Sequence, residues 1–416
     1  CSSDLLTPLL TLRKAETMVS IQKNYLHQFD LKYGSNPHQK PAAIYSLDKD
    51  NFPFSVLNGK PGYINLLDAI NAWQLVAELD EALGLPAATS FKHVSPAGAA
   101  VNVPLDETLR EVYGCKNQEL TPLATAYIRA RGADPLSSFG DFIALSRKVD
   151  VQTAEIIRKM VSDGIIAPAY DDDALKLLKE KKGGKYIILA ADPEFKSPEL
   201  EFREVGGVVF SQLRNTIKIN EKSLLTEVVT KNTTLPDAAR RDLVLASITL
   251  KYTQSNSVAY ALDGQMIGIG AGQQSRVDCT KLAGRKADAW FLRQHPKVRS
   301  LPFHEQVGSV ERTNARILCI EGGMTAPELR AWNSLFTGPA EALTVIEKEE
   351  WLTKLAGVSL SSDAFFPFRD NIDQASKRGV HYVVQPGGSN RDEEVIAATD
   401  DYGMVMLFSG IRLFHH

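Results

Sequence analysis

Hydrophobic and polar positions along the chain alternate between two rhythms. From Asn65 to Leu83, Leu67, Ile70, Leu75, Val76 and Leu79 fall near helical spacing, and Gly84 follows at the C-cap position. Similar spacing around Leu12–Phe29 predicts a helical leader within residues 1–30. Ala42–Tyr45 predicts a short strand, and Asn58-Gly59-Lys60-Pro61-Gly62 a turn. Ala87–Val94 reads as a buried strand that runs into a Ser-Pro-Ala-Gly turn. Helices are then predicted at Pro122–Arg131, Thr153–Ser162 and Asp171–Lys181, with strands at Phe142–Ser146, Ile165–Ala167 and Tyr186–Ala190. Around Lys196–Lys231 charges accumulate and the pattern loosens, as in a boundary or a connecting hairpin.

Beyond that stretch, Asp237–Tyr252 predicts a long helix. Ser257–Leu262 and Gln265–Ile269 flank Asp263-Gly264, a dipeptide suited to a two-residue hairpin loop. Helices are expected at Asp278–His295 and Asn371–Arg378, and strands at Tyr382–Gln385, Met404–Phe408 and Arg412–Phe414. Such alternation of helix and strand predicts an α/β fold. No sequence repeat is visible.

Composition narrows the function class. The chain has 416 residues, 44% hydrophobic and 23% charged, with a formal net charge of −3. That charge leaves no basic footprint for nucleic acid, and no apolar run is long enough to span a bilayer. Cys1, Cys115, Cys279 and Cys319 are far apart, without a C-x-x-C pair. Their spacing suits neither a zinc ribbon nor a disulfide framework and points to a reducing, cytoplasmic setting.

Several segments carry candidate chemistry. Ser90-Phe91-Lys92-His93-Val94-Ser95-Pro96-Ala97 sets a cation beside the side chain whose pKa lies nearest neutrality. Gly268, Gly270 and Gly272 form a glycine-rich passage from strand to helix. Their spacing is not that of a dinucleotide fingerprint, and it suits either a tight turn or an anion held on backbone N–H groups. Lys251–Ser257 is either a plain polar turn or a source of oxygen ligands for an alkali cation. Asp363–Asn371 brackets three phenylalanines and a proline with carboxylates, either as core or as a wall for a flat heteroaromatic ring. Asp134–Asp141 and Lys32–Gln39 each fit a connector or a substrate loop. Gly387–Glu393 has Asn390 and Glu393 at capping-box spacing, which predicts a helix start.

Taken in order, these segments resemble the AICAR transformylase family, the enzymes that formylate 5-aminoimidazole-4-carboxamide ribonucleotide in purine biosynthesis. The resemblance rests on K-Y-G-S-N-P-H-Q at 32–39, S-F-K-H-V-S-P-A-G-A-A at 90–100 and D-P-L-S-S-F-G-D-F at 134–142. It continues through S-D-G-I-I-A-P at 162–168, K-Y-T-Q-S-N-S-V at 251–258 and G-I-G-A-G-Q-Q-S-R at 268–276, to S-D-A-F-F-P-F-R-D-N at 362–371 and R-L-F-H-H at 412–416. It implies an α/β fold of two cytidine-deaminase-like subdomains, over residues 31–210 and 211–416. The deaminase motif P-C-x-x-C is absent, so no zinc is expected. It also implies a homodimer with interfacial active sites, and 10-formyltetrahydrofolate as formyl donor, giving formyl-AICAR and tetrahydrofolate on the way to IMP.

Most members join this region to an IMP cyclohydrolase domain. With no room for one expected here, and Lys32 where bifunctional members usually carry arginine, the chain resembles a stand-alone branch, with a clipped bifunctional protein as the second reading. Carried over by residue, Lys92, His93 and Asn256 would be catalytic. Lys32, Tyr33, Phe139, Gly140, Asp163 and Arg412 would bind AICAR. Arg276, Asn314, Phe365, Pro367, Phe368 and Asp370 would bind the folate. Thr253, Ser255, Ser257 and Asp363 would hold a structural potassium ion.

Overall fold

The computed structural model describes residues 21–416 and divides the chain into two compact units, Cys1–Phe52 and Pro53–His416. In the first unit β1 (Leu26–Leu31) pairs antiparallel with β2 (Ala42–Ser46). The leader helix expected up to Phe29 is thus replaced by strand from Leu26, because a ladder partner lies within reach for its backbone groups. The rest of that expectation, before residue 21, lies outside the described residues. Phe29 meets Phe52 edge-on, with ring centroids 6.4 Å apart.

In the second unit most strands lie in one mixed sheet. In chain order they are β3 (Phe54–Asn58), β4 (Ala87–Lys92), β5 (Ser95–Val101), β6 (Asp141–Leu145), β7 (Ser162–Ala167) and β8 (Ile187–Ala191). The hairpin β9 (Leu200–Val205) and β10 (Val208–Leu213) stands apart as its own ribbon, as the charged stretch allowed. Then follow β11 (Glu227–Val228), β12 (Val258–Leu262), β13 (Gln265–Gly270), β14 (Val358–Ser362), β15 (Val380–Gln385) and β16 (Val405–Phe408). Across the sheet the order is β11-β16-β15-β14-β12-β13-β5-β4-β6-β7-β8-β3.

That order contains a repeat invisible in the sequence. A helix (Tyr63–Leu83), the hairpin β4–β5, a second helix (Pro122–Ala133) and the parallel strands β6, β7 and β8 form one half. The helix Asp237–Lys251, the hairpin β12–β13, the helix Arg276–Leu292 and the parallel strands β14, β15 and β16 repeat the plan. Each half ends in an antiparallel edge strand, β3 or β11, and the two halves meet where β13 pairs with β5. Strands β4, β6, β12 and β14 are almost wholly buried, so they show no alternation and read as apolar or small runs.

Glycine lets the helices lie flush on this sheet. A Cβ at Gly98 would come within 2.1 Å of the Ala130 carbonyl oxygen, and one at Gly268 within 2.1 Å of the Ala283 oxygen. Gly268 and Gly270 therefore serve strand-to-helix packing, whatever the turn beyond them holds. Gly268→Ala is expected to destabilise the protein by about 3 kcal/mol through overpacking. Urea unfolding checks this, and a loss under about 1 kcal/mol would refute the close-packing account.

Two terminal expectations change. Arg412–Phe414 is not a strand; there the Leu413 N–H donates to the Asp363 carbonyl at 2.8 Å. The last helix begins at Asp392 rather than at an Asn390–Glu393 capping box. The Asp392 carboxylate, closer to the turn, accepts the Gly388 and Ser389 N–H groups at 2.7 and 3.1 Å.

Candidate active site

The Lys-His pair does not precede a turn; it is the turn. β4 ends at Lys92 and β5 begins at Ser95, so His93 and Val94 form a two-residue loop, both left-handed, with φ of 53° and 58°. Ser95–Gly98, expected as the turn, is strand instead, since its small residues pack under the Pro122–Ala133 helix. The Asp68 carboxylate, on the Tyr63–Leu83 helix, accepts the Val94 N–H at 2.7 Å.

The Lys92 ammonium donates to the Phe139 carbonyl oxygen at 2.5 Å. Phe139, 46% exposed, closes the loop from Asp134, and Gly140 turns at φ 75° into β6. Lys92, His93, Ser95, Ser137, Ala271 and Lys286 line a cleft of about 360 Å³. Lys286 is matched by Asp134 at 3.0 Å, and Asp134 also accepts from the Ser137 hydroxyl at 2.6 Å. Its carboxyl is held below the ordinary range, because Lys286 and Ser137 outweigh the opposing effect of burial. Neither Asp68 nor Lys286 carried a sequence signal, since each is one polar residue within a long helix.

Beside this cleft lies a second polar knot, centred on Asp363 at the end of β14. Asp363 is fully buried and bonds the Arg276 guanidinium at 2.5 Å. Its other oxygen accepts the Ser255 hydroxyl at 2.6 Å and the Ser257 N–H at 3.0 Å. Arg276 also donates to the Asn256 side-chain oxygen at 2.6 Å, while the Asn256 amide donates to the Gln273 and Gln274 carbonyls at 2.9 and 3.2 Å. Burial pushes the nearby Cys279 thiol up to about 12, so it stays protonated, its sulfur 3.2 Å from the Asn256 carbonyl oxygen. The C-terminus closes the knot: Ser255 and His415 exchange two bonds of 3.0 Å, and burial lowers the proton affinity of His415. A bond of 3.3 Å from the Gln254 N–H to the Ser95 hydroxyl ties this knot to the Lys-His hairpin.

The Ser257 hydroxyl is buried with no hydrogen-bond partner among the described residues, whereas the Thr253 hydroxyl donates to the Thr249 carbonyl at 2.7 Å. Oxygen donors of this kind suit a hard cation. Arg276 already balances the charge of Asp363, so such an ion would be held mainly by neutral oxygens.

The aromatic segment divides its duties. Phe366 is fully buried and its N–H donates to Gln385 at 2.7 Å, while Phe365 and Phe368 are 41% and 48% exposed. Arg391 lies 5.0 Å above the Phe368 ring, and Asp370 accepts the Asn371 amide at 2.8 Å in the first turn of the Asp370–Ser376 helix. Asn314 stands apart from Arg276, lining a larger cavity of about 660 Å³ that Phe139 also borders. Asp163, on β7, pairs with Lys182 at 2.7 Å, and Arg412 lies 4.8 Å above the Phe414 ring. Lys32 and Tyr33 belong to the first unit, directly after β1, with the ammonium 5.9 Å from the ring centroid.

Among the described residues no group of three or more His, Cys, Asp or Glu gathers as a metal cluster, and no helix is long and apolar enough to cross a membrane. The site can therefore offer a titratable imidazole and an ammonium at one turn, an oriented amide, and exposed aromatic rings beside a carboxylate.

Comparison with known proteins places the chain in a family. The AICARFT/IMPCHase bienzyme family matches residues 5–286. The bifunctional purine biosynthesis protein PurH of Elusimicrobium minutum is 33% identical over 389 residues, which is 93% of this chain and 58% of that protein. The PurH proteins of Cereibacter sphaeroides and Xylella fastidiosa are 34% and 32% identical, covering 93% and 96% of this chain and 59% and 61% of theirs. The chain thus spans about three fifths of the length of these curated relatives.

Proposed function

The chain belongs to the AICARFT/IMPCHase bienzyme family, and from that premise we propose that it catalyses the transformylase step, moving the formyl group of 10-formyltetrahydrofolate to the 5-amino group of AICAR. The observation that carries this reading is the left-handed Lys92–Ser95 turn, which presents an imidazole and an ammonium at one cleft.

The 5-amino group is a weak nucleophile, because its lone pair is delocalised into the imidazole and carboxamide. His93 removes its proton as it attacks the formyl carbon, with the substrate carboxamide able to relay it. Lys92 holds the negative charge of the developing oxyanion or protonates folate N10 as it leaves. Asn256, oriented by Arg276, binds the substrate carboxamide by exchanging its longer bond to the Gln274 carbonyl. Registering two large substrates contributes about 7–11 kcal/mol through effective molarity.

Phe139, Gly140, Asp163 and Arg412 receive the ribonucleotide; Lys32 and Tyr33 keep their assignment to it by resemblance alone. The folate ring lies against Phe365, Pro367 and Phe368 with Asp370 as acceptor, and Asn314 and Arg276 complete its site. Potassium, where bound, would be held by Thr253, Ser255, Ser257 and Asp363 and would stiffen that loop. The doubled topology supports two deaminase-like subdomains, and the free, buried Cys115, Cys279 and Cys319 suit the cytosol. The active form in this reading is a homodimer with interfacial sites.

Mixing the purified protein with AICAR and 10-formyltetrahydrofolate tests the proposal, by absorbance for tetrahydrofolate release and mass analysis of the nucleotide. Formyl-AICAR is the expected product. IMP would add the cyclohydrolase step to these 416 residues, and no tetrahydrofolate release by a folded dimer would overturn the reading.

A further inference from the structure

The internal repeat places the Lys-His turn opposite a second turn of the same build. In the second half, Asp263-Gly264 forms the two-residue loop of β12–β13, with φ of 51° and 73°. There the Asp242 carboxylate, on the Asp237–Lys251 helix, accepts the Gly264 N–H at 2.8 Å. In the first half Asp68 accepts the Val94 N–H at 2.7 Å from the equivalent helix. The clamp is the same, but its setting differs in two respects.

First, Asp-Gly adopts left-handed backbone readily, whereas His-Val does not, and a β-branched residue there is an outlier. Strain of this kind persists only where surroundings enforce it, and it collects at functional sites. Second, Asp242 is neutralised by Arg241 at 2.9 Å. Asp68 is 5% exposed, and among the described residues no lysine or arginine pairs with it. The charged groups facing it are His93 from the turn and Asp163 from β7, and Lys182 takes up the charge of Asp163 at 2.7 Å.

We propose that Asp68 is a positioning residue for the transformylase reaction: by accepting the Val94 N–H it fixes His93 in the left-handed turn at the cleft. The inference rests on the proposed role of His93. Burial raises the proton affinity of the Asp68 carboxyl above the ordinary range, while the Val94 N–H and His93 oppose that rise.

Asp68→Asn separates charge from clamp, because its amide oxygen can still accept the Val94 N–H. In the full chain, D68N is expected to keep kcat for AICAR within about threefold of the parent, whereas D68A, which loses the clamp, should fall about tenfold in kcat with KM within about twofold. Glycine adopts the left-handed region unaided, so D68A in a V94G background should recover most of that kcat. A natively folded D68A with kcat within about twofold of the parent would overturn the proposal. Should D68A fail to fold, the double variant is compared with V94G, and a loss of about tenfold there would overturn the proposal as well. If the parent protein releases no tetrahydrofolate, the proposed function fails, and hydrogen exchange at the Val94 N–H, faster in D68A, still decides whether Asp68 holds the turn.

Discussion

Replacing His93 with alanine is expected to lower kcat for formyl transfer about a thousandfold, with little change in KM for either substrate. General acid–base groups contribute roughly 10²–10⁴ in rate, and among the described residues no second imidazole lines the cleft of Lys92, Ser95 and Lys286 to take over. The left-handed φ of 53° at this position complicates a single substitution, because alanine tolerates that region poorly. Asparagine accepts it far better, so H93N removes the base while leaving the turn. Equal losses in H93A and H93N would assign the effect to proton transfer. A variant retaining a tenth or more of parental turnover would sink the base assignment. Stopped-flow absorbance of tetrahydrofolate release at saturating substrate makes the measurement.

The second large effect is on stability. Asp363→Ala should destabilise the fold by about 4 kcal/mol, because breaking one side of a buried ion pair strands the other charge. Arg276 has only 7% of its side chain exposed, so its guanidinium would lose its carboxylate where water cannot replace it. The Ser255 hydroxyl and the Ser257 N–H lose their acceptor in the same step. Asp363→Asn keeps acceptors at nearly the same positions and should lose less. Pairing D363L with R276M should restore part of the loss, since an apolar pair of similar volume avoids the desolvation penalty. Urea unfolding of the single and double variants decides it. A D363A loss below about 1 kcal/mol would mean the knot is more solvated than its burial suggests.

How far the sequence could be read depended on the range of the interactions. The helix beginning near Asn65 was plain from its apolar spacing, and it runs Tyr63–Leu83 because one face packs against β4 and β6. The Asp263-Gly264 hairpin was equally plain, since its turn chemistry is complete within two residues. β14 escaped notice: Val358–Ser362 carries three serines, and it is strand because it lies buried between β12 and β15. The turn at His93-Val94 was misplaced onto Ser95–Gly98 for a related reason. Local propensity argues against a valine at φ 58°, and the Asp68 carboxylate that accepts its N–H stands 26 residues earlier.

The candidate site divides along the same line. The Lys92-His93 pair drew notice by its residue types, whereas Asn256, Arg276 and Asp363 were assigned to the site through the family resemblance. Their partners were not legible. Lys286 and Asp68 are ordinary polar residues on helices, and they matter through what the sheet brings beside them. That Arg276 joins Asn256 and Asp363, while Asn314 borders another cavity, is likewise a consequence of chain crossing.

By itself, then, the sequence determined the α/β alternation, the long amphipathic helices, the turn chemistry of one hairpin and the inventory of reactive groups. Each of these depends on spacing or on intrinsic side-chain chemistry, which a linear pattern records. The tertiary structure alone decided the doubled topology, the flush contacts at Gly98 and Gly268, and the pairing of Asp68 with a strained histidine turn. Those features arise from burial and from hydrogen bonds between residues distant in the chain, and no local pattern encodes which distant residue will arrive.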